Sequence, residues 1–541
     1  MSEKPMNPTR RQTLALALGG AALPVAARAA SQPGEARPCS APVPQWRTGI
    51  EGQRRADLGD GRYLNPVLGG DHPDPTVLKD GADYYAAFSS FLYYPGVPIW
   101  HSRDLVNWAP VTTALTTNIG TVWALDIAKH GGRYFIYIPV LSPDGDARPL
   151  RTYVIHAPSM RGPWSEPIDM HIDNLIDPGH AVGEDGKRYL FFNGGKRVRL
   201  RDDGLAADGP IEHVYNGWPI PDDWIIEGFA MEGPKILRKG GYFFQFVAQG
   251  GTAGPPTSHM VTVARSKSID GPWENCPHNP IVRTADRDEP WWSRGHATAV
   301  EGPDGRWWLI YHGYENGFRT LGRQMLLEPI EWTADGWPKA TGGDLSRAMA
   351  MPGRGGGQSG QALSGFGPEA IGNKLTFFSP IGDYRKRAQI EAGRLTLTGQ
   401  GSGPADCSPL LFVAGDRSYE IRVEVELEGE AEAGLLLFYN EKLFCGLGLA
   451  KDRFQAYRIG QRERWPEGAP TSARRVHLRL VNDENVVTFY HSLNGVTWTK
   501  ERSFEVAGYN HNVADGFLSL RPGLYAAGNG RAMFRALTYH A

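Results

Sequence analysis

The sequence predicts an all-β chain: a five-bladed β-propeller followed by a β-sandwich, with an export signal ahead of both. Three observations carry this. One layout, in which a polar residue enters an apolar run, a glycine turn follows and an aromatic strand comes next, occurs five times. Its copies lie roughly 50 to 65 residues apart, the interval of propeller blades. Beyond about residue 372 the text changes to apolar/polar alternation, which is the mark of half-buried antiparallel strands.

The copies run in order. Asp74-Pro75-Thr76-Val77-Leu78 leads through Asp80-Gly81 into Tyr84-Tyr85, and Asp126-Ile127-Ala128 through Gly131-Gly132 into Tyr134-Phe135-Ile136-Tyr137. Asp177-Pro178 leads through Asp185-Gly186 into Tyr189-Leu190-Phe191-Phe192. Met231-Glu232-Gly233-Pro234-Lys235-Ile236 leads through Gly240-Gly241 into Tyr242-Phe243-Phe244, and His296-Ala297-Thr298 through Asp304-Gly305 into Trp307-Trp308-Leu309. Each copy reads as a β-hairpin. Segments ending in Trp108, Trp164 and Trp273 add a second hairpin signal between copies. Four strands per repeat, repeated radially, make a propeller with its innermost strands around an axis.

Asp74, Asp126, Asp177, Glu232 and His296 occupy the same point of each repeat. A single Asp beside a turn is ordinarily a local hydrogen-bonding residue. Five equivalent positions brought to one axis point instead to a site, with Asp126 expected to anchor its own repeat.

Residues 1–30 read as a targeting segment. Thr9-Arg10-Arg11-Gln12-Thr13-Leu14 is a twin-arginine pattern, an Ala/Gly-rich apolar run follows, and Ala27-Arg28-Ala29 offers a cleavage site. The run is too short to span a bilayer, so export to a periplasm or beyond is expected, with no membrane attachment afterwards. Residues 31–61 read as a loose segment, 62–352 as the propeller, 353–371 as a linker and 372–541 as the sandwich. The 57 basic residues against 59 acidic ones form no basic stripe, which argues against a nucleic-acid partner. Four cysteines (Cys39, Cys276, Cys407 and Cys445) match no metal motif; Cys407 and Cys445 could pair or stand as buried thiols.

Two carboxyls on opposite sides of a pocket cleave a glycosidic bond: one protonates the leaving oxygen and the other activates water or attacks directly. Glu232, long-armed and flanked by Met231 and an apolar strand, suits an acid with a raised pKa. Asp74, held between Pro73 and Pro75, suits a base of fixed direction. Asp177 would hold the electrostatics that keep the acid protonated. Trp123, Phe91 and Trp100 offer flat faces for a sugar ring, with core packing as the alternative for each.

Asn65-Pro66-Val67-Leu68-Gly69-Gly70-Asp71-His72-Pro73-Asp74-Pro75 resembles the N-terminal signature of glycoside hydrolase family 43. Val122-Trp123-Ala124-Leu125-Asp126-Ile127, Ile176-Asp177-Pro178, Glu232-Gly233-Pro234, Gly295-His296-Ala297 and Leu321-Gly322-Arg323 resemble its further motifs, in the family's order. Gly434-Leu435-Leu436-Leu437-Phe438-Tyr439-Asn440-Glu441-Lys442 resembles the concanavalin-like jelly-roll sandwich attached to the family's β-xylosidases, which implies that form for the C-terminal domain. The resemblance implies an inverting mechanism without a required cofactor, with Asp74 as base, Glu232 as acid and Asp177 as the residue that tunes and orients the acid. It further implies that Arg323 contacts the terminal sugar, that Trp123 lines its subsite, and that His296 approaches a water or Ca2+ in the central channel. Inversion needs a water between base and sugar, so carboxyl separations of about 6.5 to 9.5 Å are expected for Asp74 and Glu232. Leu125 stands where the family often has proline, and Gly179-His180-Ala181 replaces a more apolar run; His180 is either a satisfied core histidine or an extra substrate contact.

The expected activity is exo-release of a terminal pentose from plant cell-wall oligosaccharides. β-1,4-Xylosidase comes first, on the sandwich and the segment 91–108, and α-L-arabinofuranosidase second. A non-catalytic sugar-binding propeller is the reading of a different class, opposed by retention of all three carboxyls. Fructan-acting propellers would need an Arg-Asp-Pro run and a Glu-Cys pair, and neither occurs.

Overall fold

The computed structural model describes residues 45–541 apart from 144, 145, 356 and 358. The export signal at 1–30 and Cys39 lie outside the described residues. Five antiparallel sheets follow one another along the chain up to residue 340, each the blade that one repeat predicts. Blade one is Thr76–Asp80, Asp83–Ala87, Gly96–Ser102 and Ala109–Leu115; blade two is Asp126–His130, Arg133–Leu141, Leu150–Ala157 and Ile168–Asp173. Blade three is Gly179–Val182, Arg188–Phe192, Lys196–Arg199 and Glu212–His213; blade four is Met231–Lys239, Tyr242–Gln249, Met260–Ser266 and Glu274–Asn275. Blade five is Trp291–Glu301, Trp307–Glu315, Arg323–Trp332 and Pro338–Ala340.

The hairpin tips follow the turn chemistry. Gly131 and Gly132 (φ 56° and 77°), like Gly240 and Gly241 (φ 58° and 81°), both take left-handed backbone, as a two-residue turn matched to strand twist requires. The wedges between blades fill with aromatics: Trp108 and Trp308 are fully buried between blades five and one, and Trp337 lies in the cluster shared by blades four and five. Trp100 belongs to that first cluster, edge-on to His72 at 5.3 Å, so of its two readings the core one holds.

The ring is closed by a segment the repeats do not announce. Residues 65–68 lie along the strand Arg323–Trp332: Val67 N–H donates to Met325 O (3.0 Å), and the Asn65 side chain both donates to and accepts from Leu327 (2.9 Å each). The N-terminal motif is therefore blade five's outer neighbour before it delivers Asp74 to blade one.

The sandwich is dominated by two long antiparallel strands, Ser418–Asn440 and Arg521–His540, paired along most of their length. Its sheet continues into the propeller, because Thr376–Phe378 pairs with Tyr93–Tyr94, next to blade one. Two expectations change here. Residues 45–61 are no loose segment: Arg54 spans Glu315 of blade five (3.0 Å) and Asp416 of the sandwich (2.8 Å), while Glu51 caps the backbone N–H groups of Leu363 and Ser364. The linker is likewise docked, with Leu363 and Phe366 buried and Lys374 Nζ donating to the carbonyls of Leu363, Ser364 and Gly365. A few buried anchors among Gly, Pro and Ser suffice to hold a chain whose composition reads as loose. Cys276, Cys407 and Cys445 are buried free thiols, so Cys407 and Cys445 do not pair.

Among the described residues no helix is long and apolar enough to cross a membrane.

Candidate active site

Asp74 and Asp177 lie just before their blade's first strand and Asp126 and Glu232 at its start, whereas His296 lies in the middle of the long strand Trp291–Glu301. Asp74, Asp177 and His296 all adopt left-handed backbone (φ 56°, 60° and 60°), and after Glu232 the same role falls to Gly233 (φ 60°) within a bulge. Non-glycine residues pay for such a conformation, and it persists where the surroundings fix it, typically at functional sites.

Asp74 is buried and fully engaged. Its Oδ1 accepts from Arg323 Nη1 (2.7 Å) and its Oδ2 from Ser89 Oγ (2.5 Å). Its backbone N–H donates to His312 Nδ1 (3.0 Å), which makes Nε2 the protonated nitrogen, 3.2 Å from Thr252 Oγ1. Burial pushes the His312 imidazole down to about 3, so this histidine is neutral. At Asp74 burial pushes upward, but the Arg323 charge outweighs it and holds the carboxyl well below the usual range. Arg323 keeps Nε and Nη2 buried without a partner among the described residues, and lies between the rings of Phe91 (5.5 Å) and Phe517 (5.6 Å). Trp123 follows Val122, whose backbone pairs with that of Phe91 (2.8 and 2.9 Å), which places both aromatics where blades one and two adjoin.

Glu232 is set apart from this anchored end. Its side chain is 23% exposed, with His259 Nε2 at 3.6 Å from Oε1. Asp177 is buried beside it, accepting from Gly233 N–H at 3.0 Å. Burial first, then the negative charges of Glu232 and Asp74, drive the Asp177 carboxyl well above its ordinary value, against Lys235 and the Gly233 N–H. The water-excluded setting expected of Glu232 thus belongs to Asp177. Asp126 has a different task. Its carboxylate joins Thr76 Oγ1 (2.7 Å), Lys235 Nζ (2.7 Å) and the His180 N–H (2.7 Å), and so ties blades one to four together rather than anchoring its own turn. His180 Nε2 accepts from Arg188 (3.1 Å) while its ring stacks on Tyr137, so it is a satisfied packing residue.

His296 is buried, its Nδ1 3.5 Å from Asp74 Oδ1 and its Nε2 without a partner; burial pushes it down to about 3. Gly233 faces the ring so closely that a Cβ there would approach it to 2.9 Å. A neutral imidazole with one free nitrogen fits an axial water. Calcium, which takes six to eight oxygen ligands, fits poorly: the one adjoining carboxylate is committed to Arg323 and Ser89, and among the described residues no group of three or more His, Cys, Asp or Glu is placed to hold a metal.

Sequence reasoning missed Ser89, His259, His312 and Phe517. His312 alone carried a signal, as a polar residue inside the apolar run Leu309-Ile310-Tyr311. Phe517 comes from the sandwich, stacked on His511 at 4.4 Å, and no sequence motif connects it to a site over 190 residues away from Arg323.

Comparison with known proteins agrees with the geometry. The sequence profile of "Glycosyl hydrolases family 43" matches residues 63–338, and that of "Beta xylosidase C-terminal Concanavalin A-like domain" residues 385–540. A non-reducing end α-L-arabinofuranosidase of Bacteroides ovatus is 27% identical over 519 residues, 88% of this chain and 93% of its own. A β-xylosidase of Bacillus subtilis is 31% identical over 318 residues, 52% of this chain and 57% of its own. The crystal structure of a GH43 protein from Bacillus licheniformis superposes with a TM-score of 0.79 at 26% identity, over 89% of this chain and all of the other.

Proposed function

The chain belongs to glycosyl hydrolases family 43, and from that premise we propose that it is an inverting exo-glycosidase that releases a terminal pentose, β-1,4-linked xylose before all, from plant cell-wall oligosaccharides. One observation carries the assignment of roles: the two ends of the site have opposite proton economies. Asp74, clamped by Arg323 and Ser89, is held ionised, as a base must be. At the other end the Asp177 carboxyl, buried and facing the negative charges of Glu232 and Asp74, is driven well above its ordinary value, so a proton is retained beside Glu232. Glu232, the more exposed of the two, is the one that reaches substrate.

In this mechanism Asp74 takes a proton from a water as that water's oxygen attacks the anomeric carbon. The bond to the leaving sugar breaks, and its oxygen takes the proton from Glu232. The net reaction adds one water, inverts the anomeric centre and leaves Asp74 protonated and Glu232 ionised, to be reset by exchange with solvent. Asp177, bonded to the N–H of Gly233, orients the acid. The free Nε and Nη2 of Arg323 are donors for hydroxyls of the terminal sugar, and Phe91, Trp123 and Phe517 wall its ring.

The test is hydrolysis of nitrophenyl β-D-xylopyranoside and α-L-arabinofuranoside by wild type and Glu232→Gln, with the product anomer followed by NMR. Faster release from the xyloside, with inversion and loss in the variant, is expected; a retained anomer or an active variant refutes the assignment. The second reading, α-L-arabinofuranosidase, draws on the Bacteroides ovatus relative, which spans most of this chain; preference for the arabinofuranoside would select it. The twin-arginine pattern supports export; fractionation of the full chain with Arg10→Lys and Arg11→Lys tests it, retention of the variant in the cytoplasm being expected.

A further inference from the structure

Where the propeller meets the sandwich lies a cavity of about 130 Å³ that the mechanism does not use. The propeller supplies Phe88, Tyr93 and Trp100 to its wall, and the sandwich supplies Thr376, Val413 and Arg521. Asp74, Asp177, Glu232 and Arg323 do not line it. Ser89 and Asp71 do, while bonding Asp74 Oδ2 (2.5 Å) and the Arg323 N–H (3.1 Å) respectively. The lining becomes half-buried at Gln53, Gln361 and Asn373, so the cavity meets solvent there. Gln53 Nε2 donates to the Gln361 carbonyl (2.9 Å), and Gln361 Nε2 to that of Asn373 (2.6 Å), which frames the opening.

Each charged group of this wall is already bonded to protein. Arg54 pairs with Glu315 (3.0 Å) and Asp71 with Arg521 (3.0 Å). Asp416 accepts the Tyr539 hydroxyl (2.8 Å), and Lys374 is held by three backbone carbonyls. What is left over is neutral. Tyr93 Oη on the propeller side and Thr376 Oγ1 on the sandwich side are buried without a partner among the described residues. His72 is neutral, burial pushing its imidazole down to about 3. With Nδ1 on the Gly70 carbonyl (3.2 Å), its Nε2 is an acceptor that makes no bond among the described residues. A cavity of about 150 Å³ lined by apolar side chains stays dry and takes one benzene ring, whereas polar cavities hold water. The seam cavity is of that size, with hydroxyls and aromatic faces together.

We propose that this cavity is a binding site for one small neutral polyol, seated by Tyr93 of the propeller and Thr376 of the sandwich between the walls of Phe88 and Trp100. A charged ligand would find no free counter-charge there, and an apolar one would leave both hydroxyls unmet. A polyol answers both demands, with hydroxyls for Tyr93, Thr376 and His72 and C–H groups for the aromatic walls. Two sources share that chemistry: a solute such as glycerol, and the pentose that the enzyme releases, the second resting on the proposed hydrolysis. Because the Asp71–Arg521 pair is part of the wall, an occupant packs against the link that seats Arg323.

Equilibrium dialysis of the full chain against radiolabelled glycerol and radiolabelled D-xylose counts the molecules bound. Thr376→Val and Tyr93→Phe each remove one hydroxyl at nearly constant shape, and near-UV circular dichroism checks folding. Glycerol should saturate at one per chain in wild type and bind roughly tenfold more weakly in either variant, with kcat/KM on the nitrophenyl xyloside unchanged. Xylose should saturate at two per chain where the released sugar is an occupant, one at the catalytic site and one weakened by both substitutions. Glycerol bound at the seam with xylose absent from it supports the site and selects the solute as its source. No saturable glycerol, with a single xylose that both variants retain, overturns the site and leaves water in the cavity. Binding that neither variant weakens overturns it equally. Protein that binds a polyol at the seam yet cleaves no pentoside keeps this site and overturns the hydrolase reading alone.

Discussion

Replacing Asp177 by Asn should make the protein more stable and the enzyme worse. The buried carboxyl is driven well above its ordinary value by burial, then by Glu232 and Asp74, and that net direction already includes the opposing help of Lys235 and the Gly233 N–H. A carboxyl whose folded pKa is raised contributes stability that is fully present below its unfolded value and is lost as pH rises through the folded one. Above both values each unit of upward shift amounts to about 1.4 kcal/mol against the fold. Asparagine matches the shape, still offers an oxygen to Gly233, and cannot ionise. Urea unfolding followed by tryptophan fluorescence should therefore place Asp177→Asn above wild type at pH 8, with the gain growing as pH rises and vanishing near pH 4. In catalysis the same change weakens proton delivery: kcat should drop by roughly a hundredfold on an oligosaccharide. A dinitrophenyl glycoside, whose leaving group needs no proton, should lose far less. A variant less stable than wild type at pH 8, or one equally slowed on both substrates, would refute the electrostatic account of Asp177.

Arg323→Met removes the charge that opposes burial at Asp74, so the acid limb of the kcat/KM profile should move to higher pH; a profile that only drops in height would mean that Arg323 serves the sugar alone. Lys235→Met should destabilise by about 3–5 kcal/mol, because it strands the buried carboxylate of Asp126; adding Asp126→Asn should recover most of that in the same urea titration. Phe517→Ala should raise KM roughly tenfold with little change in unfolding if the ring, which the sandwich sets beside Arg323, walls the sugar as proposed. Steady-state kinetics on the nitrophenyl xyloside would test it.

What the sequence disclosed was whatever recurs or alternates. The five hairpins were legible because turn chemistry and aromatic strands are local, and Asp74, Asp177, Glu232 and His296 because symmetry repeats a position. The parts that escaped are pairings between distant segments. Nothing local in Asn65 to Leu68 says that they complete blade five, and nothing in Arg54 or Glu51 says that they bind blade five, the sandwich and the linker into one body. Burial is also hard to read locally: the apolar neighbours of Glu232 in sequence suggest a water-excluded carboxyl, yet alternate residues of a strand face opposite ways, and the more deeply buried carboxyl is Asp177.

The sandwich is best understood through Asp71, a buried residue that never reaches the sugar. One of its carboxylate oxygens accepts the backbone N–H of Arg323 (3.1 Å), and the other accepts Nη2 of Arg521 (3.0 Å), which belongs to the sandwich's last long strand. Gly322 is pressed so close that a Cβ there would come within 2.3 Å of the Asp71 carboxylate, which fixes the chain just before the arginine that clamps the base. The guanidinium of Arg521 in turn lies 3.5 Å over Tyr93, in the short strand that carries the sandwich's sheet into blade one. Arg323, the Asp74 carboxylate it binds and the domain that supplies Phe517 are thus linked through one buried carboxylate. A propeller separated from its sandwich would lose Phe517 beside Arg323 and leave Asp71 only the backbone N–H of Arg323, so the sandwich is part of what holds that arginine in place.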